Sequence, residues 1–127
     1  MTTYNGSCHC GAVRFKVDAQ IDHARECDCS VCSKRGILTF RVGSGALQML
    51  TPIDELATYR WGTKTATDYF CQRCGILPFR KPSLPTQDEQ KRGVQPFEGW
   101  AINLRCIDGL DLTPLPRIKI RGSELNI

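Results

Sequence analysis

Apolar and polar residues alternate from Ala12 to Val17, with Val13, Phe15 and Val17 set against Arg14 and Lys16. That period of two predicts a half-buried strand. Leu38 to Val42 and Ala46 to Leu50 predict two more, separated by the Gly43-Ser44-Gly45 turn. Leu56 to Trp61 alternates again, with Ala57, Tyr59 and Trp61 on one face, and Gly62-Thr63-Lys64 turns the chain into Ala66 to Phe70 as a hairpin. Later strands are predicted over Ile76 to Phe79, over Gly99 to Ile107, and over Pro114 to Ile120. The two prolines of the last make it an edge strand. Helical signal is confined to one turn, Ser30 to Lys34, with Ser30 as N-cap and Gly36 as its end. Gln20 to Glu26 reads as a polar connection. Arg80 to Gly93, rich in Pro, Lys, Gln and Asp, reads as a mobile surface loop. The expectation is a single mostly-β domain over residues 1–127.

Size and composition narrow this reading without changing it. The 127 residues suit one domain, and an apolar share of 41% leaves room for metal cross-links to supplement the core. A net charge of +4 falls short of the clustered basicity of a nucleic-acid binder, so nucleic acid is not the expected partner. No apolar run reaches bilayer length, and Met1 to Gly6 lacks the features of a secretory signal, so the expected setting is soluble and cytoplasmic with no membrane partner.

The eight cysteines carry the chemical signal. Cys8 and Cys10 lie in G-S-C-H-C-G, Cys71 and Cys74 in C-Q-R-C-G, and Cys27, Cys29 and Cys32 in C-D-C-S-V-C. A disulfide framework is disfavoured, because clustered thiols in a reducing compartment bind metal or do chemistry instead. Zinc takes four N or S ligands in tetrahedral array, all from protein in structural sites, three in catalytic ones. The two distant pairs make one closed Cys₄ set, joining the N-terminal strand to the hairpin that ends at Cys71. The central trio supplies three ligands and an open fourth position. Cys106 could close it, but strand phase puts Ile102, Leu104 and Cys106 together on a core face. His9 and His23 have no compelling spacing as a fourth ligand. Three thiolates blunt a divalent ion as a Lewis acid, which disfavours hydrolysis and favours an incoming thiol held as its thiolate. Arg25, Lys34 and Arg35 flank the trio as candidate binders of a substrate's carboxylates.

The ordered motifs G-S-C-H-C-G with A-V-R-F, C-D-C-S-V-C, Y-F-C-Q-R-C-G and N-L-R-C-I-D-G, from about Gly6 to Gly109, resemble the glutathione-dependent formaldehyde-activating enzyme family, which also includes centromere protein V. The resemblance implies a β-tent of folded, coiled antiparallel sheets around a structural zinc, similar to methionine sulfoxide reductase B. It implies Cys8, Cys10, Cys71 and Cys74 as structural ligands, and Cys27, Cys29 and Cys32 as ligands of a second, catalytic zinc that is held less securely. It also implies carbon–sulfur lyase-type activity on thiol–aldehyde adducts such as S-hydroxymethylglutathione, with a small thiol such as glutathione and an aldehyde as partners. The competing expectation is a non-catalytic zinc module for a protein or nucleic acid, prompted by Arg117, Lys119 and Arg121. Their alternation with Ile118 and Ile120 is equally that of a solvated edge strand.

Overall fold

The computed structural model describes residues 1–124, and it is mostly β. β1 (Thr2–Ser7) and β2 (Arg14–Ala19) pair antiparallel from Thr2↔Ala19 to Ser7↔Arg14, and β5 (Leu47–Met49) adds to the far side of β2. The second sheet has the order β10-β3-β4-β9-β8-β7-β6. Its members are β3 (Ala24–Cys27), β4 (Thr39–Gly43), β6 (Ala57–Tyr59), β7 (Thr67–Phe70), β8 (Phe79–Lys81), β9 (Gly99–Asn103) and β10 (Arg117–Ile120). All its pairings are antiparallel except β10 with β3, so the expected edge strand is an edge, laid parallel to its neighbour.

Side chains alternate across a strand, so one face of this sheet can serve the core while the other serves something else. Phe40, Ile102, Phe79 and Tyr69 lie in register across β4, β9, β8 and β7. With Trp100 they form the aromatic heart of the core: Phe79 meets Phe15 edge-on at 5.7 Å and Trp100 at 5.4 Å. Such edge-to-face pairs contribute about 0.5–1.5 kcal/mol each beyond their buried area. Val13, Phe15 and Val17 are all buried here, as their alternation predicts. The opposite face carries another row in register, Tyr59, Asp68, Arg80, Ala101 and Arg41. Polar side chains hold a central sheet face, and part of that face lines a cavity.

Several expected elements differ in extent. β1 forms where no strand was predicted, because its backbone pairs along its length while only Gly6 of its six residues is buried. β3 replaces the end of the polar connection. Ile76 to Pro78 precedes β8 rather than joining it, and the segment read as a mobile loop contains β8's Arg80 and Lys81 and a short helix, α2 (Gln87–Lys91). A capping box holds the start of α2: Glu89 N–H donates to Thr86 Oγ1, and Thr86 N–H donates to Glu89 Oε1. The predicted strand through Ile107 stops at Asn103, whose side chain accepts from Arg105 N–H and starts a 3-10 turn over Leu104–Cys106.

Candidate thiol and metal centres

Cys8 and Cys10 lie in the turn after β1, and Cys71 and Cys74 in the knuckle after β7. Their four sulfurs all lie within 4.8 Å of one another. Cys8 and Cys10 sulfurs are 3.7 Å apart, and those of Cys10 and Cys71 3.6 Å. A tetrahedron with Zn–S bonds of about 2.3 Å has edges of about 3.8 Å, so this donor set fits zinc. Backbone N–H groups point at the sulfurs as they would at thiolates: Val13 N donates to Cys8 Sγ at 3.3 Å and Arg73 N to Cys71 Sγ at 3.3 Å. Amides at Ile76 and Cys10 hold the Cys74 thiol down to about 6. Gly75, at φ 80°, turns the chain so that its own N–H reaches Cys71 O. The cluster ties the three-stranded sheet to the seven-stranded one.

The central trio is built by β3 and α1 (Ser30–Arg35). Cys27 ends the strand, Cys29 caps the helix, and Cys32 sits one turn in. Their sulfurs also lie within 4.8 Å of one another. The N-cap is Cys29, one residue before the expected Ser30, since Cys29 is extended and its sulfur accepts from Cys32 N at 3.4 Å. Gly36, left-handed at φ 63°, ends the helix as predicted. The Cys32 thiol donates to Cys27, the main cause that brings Cys27 down to about 5 and raises Cys32. One sulfur of the trio is thus readily ionised. Three converging soft donors, two of them buried, suit a thiophilic divalent ion.

A cavity opens over these sulfurs, floored by the polar face of the sheet. Arg25, Cys27, Thr39, Arg41, Trp61, Arg80, Ala101 and Ile120 are among the residues that line it. Of the three cations expected beside the trio, Arg25 lines this cavity. Lys34 is exposed in the last turn of α1, outside the lining. Arg35 turns away to the buried Asp68, donating from Nη1 to Oδ2 at 2.8 Å, and lines a different groove with Cys8 and Cys106. Nearness in sequence misplaced these two. Arg41 and Arg80 line the cavity as well, and the alternation of Arg41 with Phe40 and Val42 was the signal for that face. Arg80 Nε donates to the other Asp68 oxygen at 2.6 Å.

Gly122, also unforeseen, packs against Cys27 and Cys29, with its amide toward the Cys27 sulfur. Asp28 fastens this contact, its N–H donating to Ile120 O at 3.0 Å and its carboxylate accepting from Ser123 N at 2.9 Å. Among the described residues, neither cluster includes Cys106, His9 or His23. Cys106 is buried as expected, though on the 3-10 turn, its thiol 3.8 Å from Leu77 O. His9 is exposed between its cysteines. His23 bonds Asp22 at 2.6 Å and meets Phe40 at a tilt, ring centroids 4.9 Å apart.

The model of the family described as glutathione-dependent formaldehyde-activating enzyme matches residues 3–96. The chain belongs to this family. That stretch holds both thiol pairs and the trio, whereas the late N-L-R-C-I-D-G motif and Gly122 lie beyond it. The chain is also similar to a Rhodobacter sphaeroides protein of known crystal structure, at 29% identity and a TM-score of 0.70, over 90% of this chain and 99% of that one. Among the described residues, no helix is long and apolar enough to cross a membrane.

Proposed function

We propose that this family member is a zinc-dependent enzyme of the carbon–sulfur lyase type that forms or cleaves adducts between a small thiol, such as glutathione, and an aldehyde, such as formaldehyde. The observation that carries the reading is the trio of converged sulfurs lining a cavity together with arginines. Cys8, Cys10, Cys71 and Cys74 would hold a structural zinc, and Cys27, Cys29 and Cys32 a second ion. When bound there, such an ion would supply a soft fourth position able to hold a thiol ionised at neutral pH.

The chain's own residues then define the path. The cavity, with room for several waters at about 90 Å³, admits the reacting end of the thiol and a small aldehyde. In the adduct-forming direction, the substrate sulfur attacks the carbonyl carbon, a C–S bond forms, and the C=O π pair moves to oxygen. The guanidinium-lined wall favours that developing negative charge, and a water proton completes the hydroxymethyl group. Cleavage is the same sequence reversed. Trp61 and the backbone around Gly122 wall off the sulfurs, so the site stays narrow.

Cobalt provides the test. With cobalt in the central site, a saturating thiol should change the thiolate-to-metal absorption as a fourth sulfur joins, and thiol-dependent formaldehyde turnover should depend on Cys29. An unchanged spectrum with no turnover would leave a non-catalytic zinc module in its place.

A further inference from the structure

The cavity holds more positive charge than the protein neutralises. Register places Arg41 directly across from Ala101, and Ala101 directly across from Arg80, on one face of three adjacent strands. Arg25 reaches the same space from β3, where it pairs with Thr39, two residues before Arg41 and therefore on Arg41's face. Ala101 is buried and small, so the row is open between the two guanidiniums it separates. The one carboxylate in the row, Asp68, already divides its two oxygens between Arg80 and Arg35. Among the described residues, Arg25 and Arg41 make no ion pair with any carboxylate; Arg41 instead lies over the Phe97 ring, 5.1 Å from its centroid.

An arginine can be left unpaired in open water at little cost. Arg25 is half-buried, and Arg41, although exposed, lines the same cavity, where desolvation and the charges of Arg25 and Arg80 bring it down to about 10. Glu89 pulls on Arg41 from a distance but is occupied with its own helix cap. Like charges gathered over a small open space are stabilised by a bound anion, and a guanidinium pair matches a carboxylate in geometry as well as charge.

We propose that Arg41 and Arg25 form a carboxylate subsite, so that the preferred thiol carries a carboxylate and is anchored by it beside the Cys27, Cys29 and Cys32 sulfurs. This deepens the thiol–aldehyde reading, which supplies the reacting sulfur, by naming the substrate's other recognised end. Arg80, held by Asp68, shapes the far wall and adds field without being the primary partner.

S-methylglutathione separates the two ideas, since it keeps both carboxylates but has no free thiol to ionise. Calorimetric titration of the zinc-loaded protein should show binding that weakens as salt rises. Arg41→Gln should weaken it by about tenfold or more, and Arg25→Gln by several-fold, the loss expected when one charged partner is removed. Arg41→Lys should recover part of it. In parallel, mercaptoacetate and 2-mercaptoethanol, close in size, should differ in affinity for the cobalt-loaded protein, and Arg41→Gln should narrow that difference. Absence of S-methylglutathione binding to the wild-type protein, or equal binding by a folded Arg41→Gln and Arg25→Gln, would overturn the subsite. A cobalt spectrum that still responds equally to both small thiols would then leave the thiol reading standing alone.

Discussion

A Cβ built on Gly122 would lie 2.5 Å from Sγ of Cys27 and 2.8 Å from Cβ of Cys29. Neither neighbour is the end of a flexible chain; both belong to the turn that aims the central sulfurs. The close approach therefore requires glycine, and it makes the last described turn of the chain part of the wall around the trio.

Gly122→Ala should consequently disturb the central centre and spare the other. Bound zinc should fall from about two ions per chain toward about one, with loss of the thiol response in the cobalt spectrum, while the unfolding midpoint moves little. Ser123 contributes through its backbone N–H, so Ser123→Ala should leave zinc content unchanged. Full zinc content in a folded Gly122→Ala protein would show that the turn can yield.

Cys74→Ser and Cys29→Ser should part company in denaturant. The first removes a ligand from the cluster that ties the two sheets together. It should cost several kcal/mol, since zinc binding at such a cross-link is folding free energy. The second should unfold near the wild-type midpoint with less metal and no thiol-dependent turnover. Equal destabilisation of both would make the trio a second structural site.

Asp68 is the buried member of an ion triad, 1% exposed, with Arg35 and Arg80 at 25% and 16%. Removing one partner of a fully buried pair costs about 3–5 kcal/mol, but here both arginines retain some access to water. Asp68→Asn should therefore cost about 2–3 kcal/mol in urea unfolding. A loss under about 0.5 kcal/mol would mean the triad is no stronger than a surface pair.

Burial pushes the Cys106 thiol up from its ordinary value near 9 to about 12, and the charges near Cys8, Cys74 and Asp108 act in the same sense. The folded state prefers the protonated thiol, so this contribution is complete below about pH 9 and is lost as pH rises toward 12. The stability advantage of the wild type over Cys106→Ala should accordingly shrink from pH 8 to pH 10.5 in parallel denaturation curves. Iodoacetamide at pH 8 should leave Cys106 unmodified until the protein unfolds. A pH-independent advantage, or rapid labelling of the native protein, would refute the assignment.

The sequence was most legible where burial and period coincide, as at Val13, Phe15 and Val17, and where ligand spacing is local, as at Cys71 and Cys74. It was opaque at Thr2–Ser7, whose strand is held by backbone pairing with little apolar patterning, and at Ala24–Cys27, which buries only Ala24. Arg41 sat in plain view as the polar phase of a predicted strand, whereas Arg80 fell in the stretch read as a mobile loop. Period two states which residues share a face, but not whether that face meets water or encloses a cavity. Arg35 shows the converse, because adjacency to the trio suggested a role that a buried carboxylate 33 positions away has taken. Gly122 had no local signal, as its partners are at the other end of the chain.

Core and cavity occupy opposite faces of the same strands, so adjacent positions answer to different demands. Phe40 and Ile102 are constrained by packing density, whereas Arg41 and Ala101, each the neighbour of one, answer to whatever enters the cavity. Ligand preference can thus drift through single substitutions at Thr39 or Arg41 while the aromatic heart and the Asp68–Arg80 pair stay fixed. One scaffold of this kind is able to diversify its substrates without renegotiating its own stability.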